Sequence, residues 1–182
     1  MAGSRHDPTR LFNSALAALR AGNGPQAAKL ARRLSKAAAN DPATWELRAM
    51  IASASGGYQD AVKFWKRVTK LTPQSTSALN NLGGSYRELG EHDAAVECYE
   101  KSLSIEPGQP DTFFNLGAAH IARDDAQAGR EAYEKGLELR PDDRDMRLNL
   151  SSALMKLGEL EGALSEYRQL IELGFDDPEI RH

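Results

Sequence analysis

The chain has 182 residues, of which 27% are charged, 41% hydrophobic and 7% aromatic, enough for one domain or one short array of repeats. Twenty-three Lys plus Arg against 26 Asp plus Glu leave a net charge of -3, which argues against nucleic acid as the partner. One cysteine, Cys98, excludes an internal disulfide and any multi-cysteine metal site, and no apolar run approaches the roughly 20 residues of a membrane span.

Residues 1–7 carry charges with no apolar core behind them and read as a flexible tail rather than a secretory signal. From Pro8 onward a period of 34 organises the chain, since Asn81-Leu82-Gly83 recurs as Asn115-Leu116-Gly117 and as Asn149-Leu150-Ser151. Five repeats fit: 8–41, 42–75, 76–109, 110–143 and 144–177. The first carries Gly22, Ala27, Ala31 and Leu34 but lacks a closing proline. Pro42 comes three residues late, so the second helix of this repeat is expected to run longer or to fray. The second repeat carries Trp45, Ala49, Gly56, Ala61, Trp65, Leu71 and Pro73, and the third Leu79, Tyr86, Gly90, Ala95, Tyr99, Ile105 and Pro107. Gly129, Tyr133, Leu139 and Pro141 mark the fourth, and Gly158, Ala163, Tyr167 and Leu173 the fifth. Residues 178–182 read as the start of a further helix or a truncated end.

Each repeat holds two stretches of about 14 residues with helical apolar spacing, separated by a break such as Leu89-Gly90-Glu91. That is an antiparallel helix pair. Small residues recur where the helices must approach closely: Ala15, Ala49, Gly83, Gly117 and Ser151 in the first helices, and Ala27, Ala61, Ala95, Gly129 and Ala163 in the second. Trp65, Tyr99, Tyr133 and Tyr167 fill the space beside them. A single pair cannot bury its apolar face, so the pairs are expected to stack into an all-α, right-handed superhelical solenoid.

These residues resemble the tetratricopeptide repeat family, whose pattern is a large residue, Leu-Gly and Tyr in a first helix, then Ala, an aromatic and Ala in a second, with a closing proline. The repeat from Thr76 matches closely through Leu79, Leu82-Gly83, Tyr86, Ala95, Tyr99 and Pro107. Departures are Arg48 where Leu is expected, Arg147 where a large apolar residue is expected, Gly129 in place of Ala, and Phe175 in place of proline. The resemblance implies a non-catalytic module for protein-protein interaction, with the first helices lining a concave groove.

No catalytic constellation stands against this. The histidines His6, His92, His120 and His182 show no zinc-helix spacing, and Gly83-Gly84-Ser85 lacks the Gly-Lys-Ser/Thr that would cradle a phosphate. His120 with Asp124 four residues on is an acid-base arrangement in outline, and a packing or capping histidine is the plainer explanation. Neither metal nor cofactor is expected.

Two surfaces carry the binding expectations. Asn13, Asn81, Asn115 and Asn149 share one register, with Leu47 the interruption. Asparagine is a mediocre helix former, so the series braces the neighbouring repeat or grips the backbone of an extended peptide. It is similar to the asparagine ladder of O-linked N-acetylglucosamine transferase superhelices, and to that ladder alone. Phe12, Leu16, Met50, Phe114, Ile121, Leu148 and Met155 fall on groove positions beside it, while Leu82, Leu116 and Leu150 fill the core. The carboxylate-clamp positions of the chaperone-tail-binding members hold Phe12, Ser77 and Asn81, which argues against a free acidic C-terminus as ligand.

Charge is polarised along the chain: residues 1–75 hold 12 Lys plus Arg against 4 Asp plus Glu, and residues 76–182 hold 11 against 22. Lys29, Arg32, Arg33 and Lys36 match Lys63, Lys66, Arg67 and Lys70 register for register, forming a basic ridge on the convex side. The ridge is a solvated face, a site for an acidic partner protein or for an anionic lipid or nucleic-acid surface, or one end of weak head-to-tail self-association between basic and acidic ends. The reading is therefore a cytoplasmic scaffold that binds a peptide or helix of a partner protein in its groove. Its alternatives are the recognition domain of a larger multidomain enzyme, such as a transferase, and a self-assembling scaffold.

Overall fold

The computed structural model describes residues 7–175; the expected tail apart from Asp7, and the expected helix start at 178–182, lie outside the described residues. Two compact halves, Met1–Gly90 and Glu91–His182, divide the chain between the two helices of the 76–109 repeat. The N-terminal half contains α1 (Pro8–Arg20), α2 (Gly24–Ala37), α3 (Pro42–Ala54), α4 (Tyr58–Leu71) and α5 (Thr76–Glu88). The C-terminal half contains α6 (His92–Ile105), α7 (Pro110–Ala122), α8 (Ala126–Leu139), α9 (Arg144–Lys156) and α10 (Leu160–Glu172). No strand occurs among the described residues.

Helix starts follow ordinary capping chemistry. The side chains of Asp7, Asn23, Asp41, Ser75, Asp125 and Asp143 each accept a hydrogen bond from an otherwise unpaired N–H of the first turn. Proline occupies the first or second position of α1, α2, α3 and α7, where its missing N–H costs nothing. The expectation that α2 runs long or frays is corrected: it has the 14 residues of α4, α6 and α8. Ala38 stops it by leaving helical geometry while its N–H still bonds to Leu34 O, so no proline is needed there.

Between the paired helices the chain turns through a left-handed residue at Gly22, Gly56, Gly90 and Gly158, with φ near +70° to +77°. The fourth member of this series is Asp124, with φ 61°. An Asp tolerates that region better than most side chains but less well than glycine.

Consecutive helices pack within each half: α1 on α2, α2 on α3, α3 on α4 and α4 on α5, then α6 on α7, α7 on α8, α8 on α9 and α9 on α10. The small residues named above are all buried. At Gly117 a Cβ would stand 2.5 Å from Cε1 of Tyr133, and at Gly129 2.7 Å from Cδ1 of Ile121, so these glycines are places where a neighbour occupies the space of a side chain. One core cluster joins Leu11, Ala15, Ala31, Leu34, Leu47 and Ile51, and another joins Tyr133, Leu137, Met146, Leu150 and Leu154.

Arg147, in a position where the repeat pattern calls for an apolar residue, is buried, and each of its three side-chain nitrogens donates a hydrogen bond. Its Nε and Nη2 donate to Pro141 O at 3.0 and 2.6 Å, and its Nη1 donates to Glu166 on α10. The arginine thus ties the loop before α9 to α10.

Glu166→Ala is expected to lower stability by about 2–3 kcal/mol, because it strands a largely buried charge, and Arg147→Leu combined with Glu166→Ala is expected to cost less than Glu166→Ala alone. Denaturant unfolding of the three variants checks the order. Asp124→Gly is expected to raise stability by about 1 kcal/mol through relief of the left-handed backbone, read as a higher thermal midpoint.

Candidate binding surfaces

The first helices of the pairs, α1, α3, α5, α7 and α9, carry the expected peptide face. In the N-terminal half Asn13 and Asn81 are exposed, while Leu47 at the same register is buried at 2% exposure and belongs to the core. In the C-terminal half Asn115 and Asn149 are half-buried. Two of these amides bond locally. Asn81 Nδ2 donates to Ser77 O at 2.8 Å and Asn149 Nδ2 to Asp145 O at 2.7 Å. The partner is the preceding turn of the residue's own helix rather than a neighbouring repeat. Each such amide is oriented by that bond and keeps its Oδ1 as an acceptor.

The apolar positions divide into two kinds. Phe12 and Leu16 are half-buried against the Leu11–Leu34–Leu47 cluster, and Phe114 and Ile121 against the Tyr133–Leu150 cluster. The Phe114 ring lies 6.1 Å from that of Tyr133, tilted by 54°, within the centroid range of favourable aromatic pairs. Leu148 is half-buried. Met50 and Met155 are each 47% exposed and present flexible thioethers to solvent. In the N-terminal half a shallow depression of about 250 Å³ opens beside Phe12, bordered by Pro8, Thr9, Leu34 and Ala43.

On the second helices, Lys29, Arg32, Arg33 and Lys36 of α2 and Lys63, Lys66 and Lys70 of α4 are exposed, and Arg67 of α4 is half-buried. Trp65, buried at 5% exposure, belongs to the core. Aromatic rings do meet the ridge from other helices: Lys66 Nζ lies 5.4 Å from the centre of the Tyr86 ring, and the Arg67 guanidinium 5.9 Å from that of Trp45. The half holding this ridge has 13 Lys plus Arg against 5 Asp plus Glu, and the other half 10 against 21. The surplus acids of the C-terminal half face its arginines in ion pairs: Arg123 with Asp93, Arg130 with Glu159 and Arg140 with Asp111, at 2.8 to 3.0 Å.

Arg48, noted above as a departure from the repeat pattern, is the residue that sequence reasoning passed over as a site. Its guanidinium carbon stands 3.9 Å from the centre of the Phe64 ring and 5.2 Å from that of Trp45. A cation at an apolar repeat position was the available signal.

The His120 side chain is 11% exposed, and its acidic neighbour is Asp125 rather than Asp124: Nδ1 lies 3.9 Å from Asp125 Oδ2. Burial pushes its pKa below the ordinary histidine value, against an opposing pull from Asp125. Among the described residues no three His, Cys, Asp or Glu side chains gather as a metal site, and no helix is long and apolar enough to cross a membrane.

Tetratricopeptide repeat models match residues 76–109 and 120–182. In three dimensions the chain is similar to a crystal structure of a MamA protein, with a TM-score of 0.87 and 19% identity over 91% of either chain. Residues 41 to the end of MamA from Desulfovibrio magneticus RS-1 superpose with a TM-score of 0.86 at 21% identity, covering 94% of this chain and 98% of that one. A thermophilic TPR protein of Thermus thermophilus, TTC0263, gives 0.66 at 17% identity, covering 96% and 95%. Such likeness bears on fold, and the fold is the all-α helical-repeat solenoid of about five repeats. A comparison of the sequence with curated proteins finds no match.

Because the pKa of His120 is lowered in the folded state, protonation favours unfolding: its contribution is present above about pH 6.5, the ordinary histidine value, and is lost as pH falls toward the folded pKa. His120→Gln is expected to flatten that part of the stability-pH curve, measured by thermal unfolding across the range.

Proposed function

The chain belongs to the tetratricopeptide repeat family of protein-interaction scaffolds, and we propose that the first-helix faces of its repeats hold an extended peptide or a helix of a partner protein without catalysing a reaction. The observation that carries this reading is the pairing of oriented amides with solvent-facing apolar side chains on those helices. Asn81 and Asn149 are held by their own backbones through Nδ2, which leaves Oδ1 as an acceptor, and Met50 and Met155 remain 47% exposed although the cores are already filled. Amide oxygens suit the backbone N–H groups of any sequence, and thioethers adapt to varied apolar side chains. Tolerance and anchoring thus come from different residues on one face.

The mechanism is preorganisation. The helices are already fixed by burial, so binding has to order the ligand and a few surface side chains only. The same reading places the scaffold in the cytoplasm; a single cysteine, Cys98, buried in α6, fits a compartment where disulfides are not used.

A photo-crosslinking residue at Met50 or Met155 is expected to capture the same partner from source-cell lysate, and one at Lys63 on the ridge is not. Replacing Asn13, Asn81, Asn115 and Asn149 together by Ala is expected to weaken that partner about tenfold or more, measured with the purified pair after circular dichroism shows both forms folded. Equal affinity for the two forms would make the amide series structural.

A further inference from the structure

The basic ridge of the N-terminal half is not uniform. Between α2 and α4, with α3 along its floor, lies a cleft of about 200 Å³ walled by Ile51 and Phe64 and opening onto Arg32, Arg48, Ser55 and Asp60. It belongs to the second-helix side and is separate from the amide-bearing faces. Ile51 and Phe64 are buried at 4% and 7% exposure, so the wall is a fixed part of the core, and Arg48 is half-buried at its edge.

Arg48 is held in an unusual way for a surface cation. Trp45 and Phe64, whose ring centres are 6.0 Å apart, both take its guanidinium against their faces. Contacts of this kind take up none of the guanidinium N–H groups as hydrogen-bond donors. Of the five N–H donors that an arginine offers, Nη1 gives one bond, to Ser35 Oγ at 3.2 Å. Among the described residues no carboxylate lies within ion-pair distance of Arg48 or Arg32, although acids of the other half supply such pairs for Arg123, Arg130 and Arg140. Burial and the charge of Arg32 both press the pKa of Arg48 downward, and Asp60, the carboxylate of the cleft, opposes them more weakly than Arg32 promotes them. Two arginines and one carboxylate line the cleft, so its charged groups sum to a positive charge.

We propose that this cleft is a second binding site, which receives the carboxylate of a glutamate or aspartate side chain on a partner polypeptide between Arg32 and Arg48, with the methylene stem of that side chain against Ile51 and Phe64. The geometry favours a carboxylate over a phosphoryl group on two counts. The cleft is smaller than the roughly 300 Å³ at which pockets begin to enclose drug-sized ligands, so it suits one side chain rather than a nucleotide. Asp60 stands in the same cleft and penalises a second negative charge more than a first. A fork of in-plane donors matches the two oxygens of a carboxylate, and the pairing is strengthened by the partial burial of Arg48. This site gives the ridge a point of specificity, whereas exposed lysines alone attract any polyanion.

The test uses the whole chain labelled with 15N-arginine, so that the Nε–Hε signal of Arg48, assigned through Arg48→Leu, reports on the cleft. An oligoglutamate peptide is titrated in, beside an oligoglutamine peptide, inorganic phosphate and a single-stranded DNA oligonucleotide. The glutamate peptide is expected to shift the Arg48 signal while the glutamine peptide does not, and Arg48→Leu is expected to weaken the peptide about tenfold by fluorescence anisotropy. Leucine is the residue found at the matching positions 82, 116 and 150, so that variant keeps the core composition of the three later repeats. Arg32→Ala, at an exposed position, is expected to weaken the peptide in the same direction and serves where Arg48→Leu does not fold. The proposal is overturned if the Arg48 signal stays in place, if both arginine variants bind as tightly as the unaltered chain, or if phosphate or the oligonucleotide moves that signal as strongly as the glutamate peptide.

Discussion

Close approach of two helix backbones is the constraint on which the architecture rests. A helix of 13 or 14 residues is marginal alone in water, and it is stabilised here by packing on neighbours in sequence. Such packing needs a place where one helix has almost no side chain. Gly117 supplies it against Tyr133 and Gly129 against Ile121, while Ala15, Ala27, Ala49 and Ala61, all fully buried, occupy the corresponding positions in the N-terminal half. Enlarging any of them moves an aromatic or aliphatic neighbour and, through it, the next helix. Because the stack uses one stripe of each helix, the remaining stripes are free to differ from repeat to repeat. Binding surfaces can therefore diverge on a shared geometry.

The two halves treat charge differently. Arg123, Arg130 and Arg140 in the C-terminal half each reach an acid on another helix or loop, so much of that half's cationic charge is satisfied internally. Arg48, Lys66 and Arg67 in the other half lie on aromatic rings. An aromatic face attracts a cation without neutralising it, so this half keeps its positive field while still holding its side chains in place. Two solutions to the same problem of long basic side chains thus leave surfaces of opposite character on one chain.

The periodic features were legible in the sequence because they are local. The helix pairs, the small residues at close approach and the aspartate and serine caps recur at fixed spacing, and each acts within a turn or between adjacent helices. Features that depend on which helix supplies the third partner were not legible. Arg48 reads as a flaw in the pattern until Trp45 on its own helix and Phe64 on the next are seen to bracket it, and Arg147 likewise until Pro141 O and Glu166 are in view. The asparagines share one register, and Leu47 at that register shows that one position is core in one repeat and surface in another. Spacing does not fix the end of α2 for a related reason: proline is one way to stop a helix, and Ala38 shows another. The binding roles of both surfaces rest on chemistry that spacing alone does not specify.

Within each half, the main packing partners are helices adjacent in the chain, and the most distant recorded are α1 with α3 and α7 with α9. No long stretch of chain has to be closed before a stabilising contact forms, a topology that favours rapid folding from several starting points. It also means that losing one helix removes the support of its immediate neighbours rather than of the whole. Opening is then graded, beginning at whichever helix has the fewest partners. Among the described helices of the C-terminal half, α10 packs on α9 and turns Leu160, Leu164 and Ile171 to solvent, so added contacts on that face would slow the unravelling most.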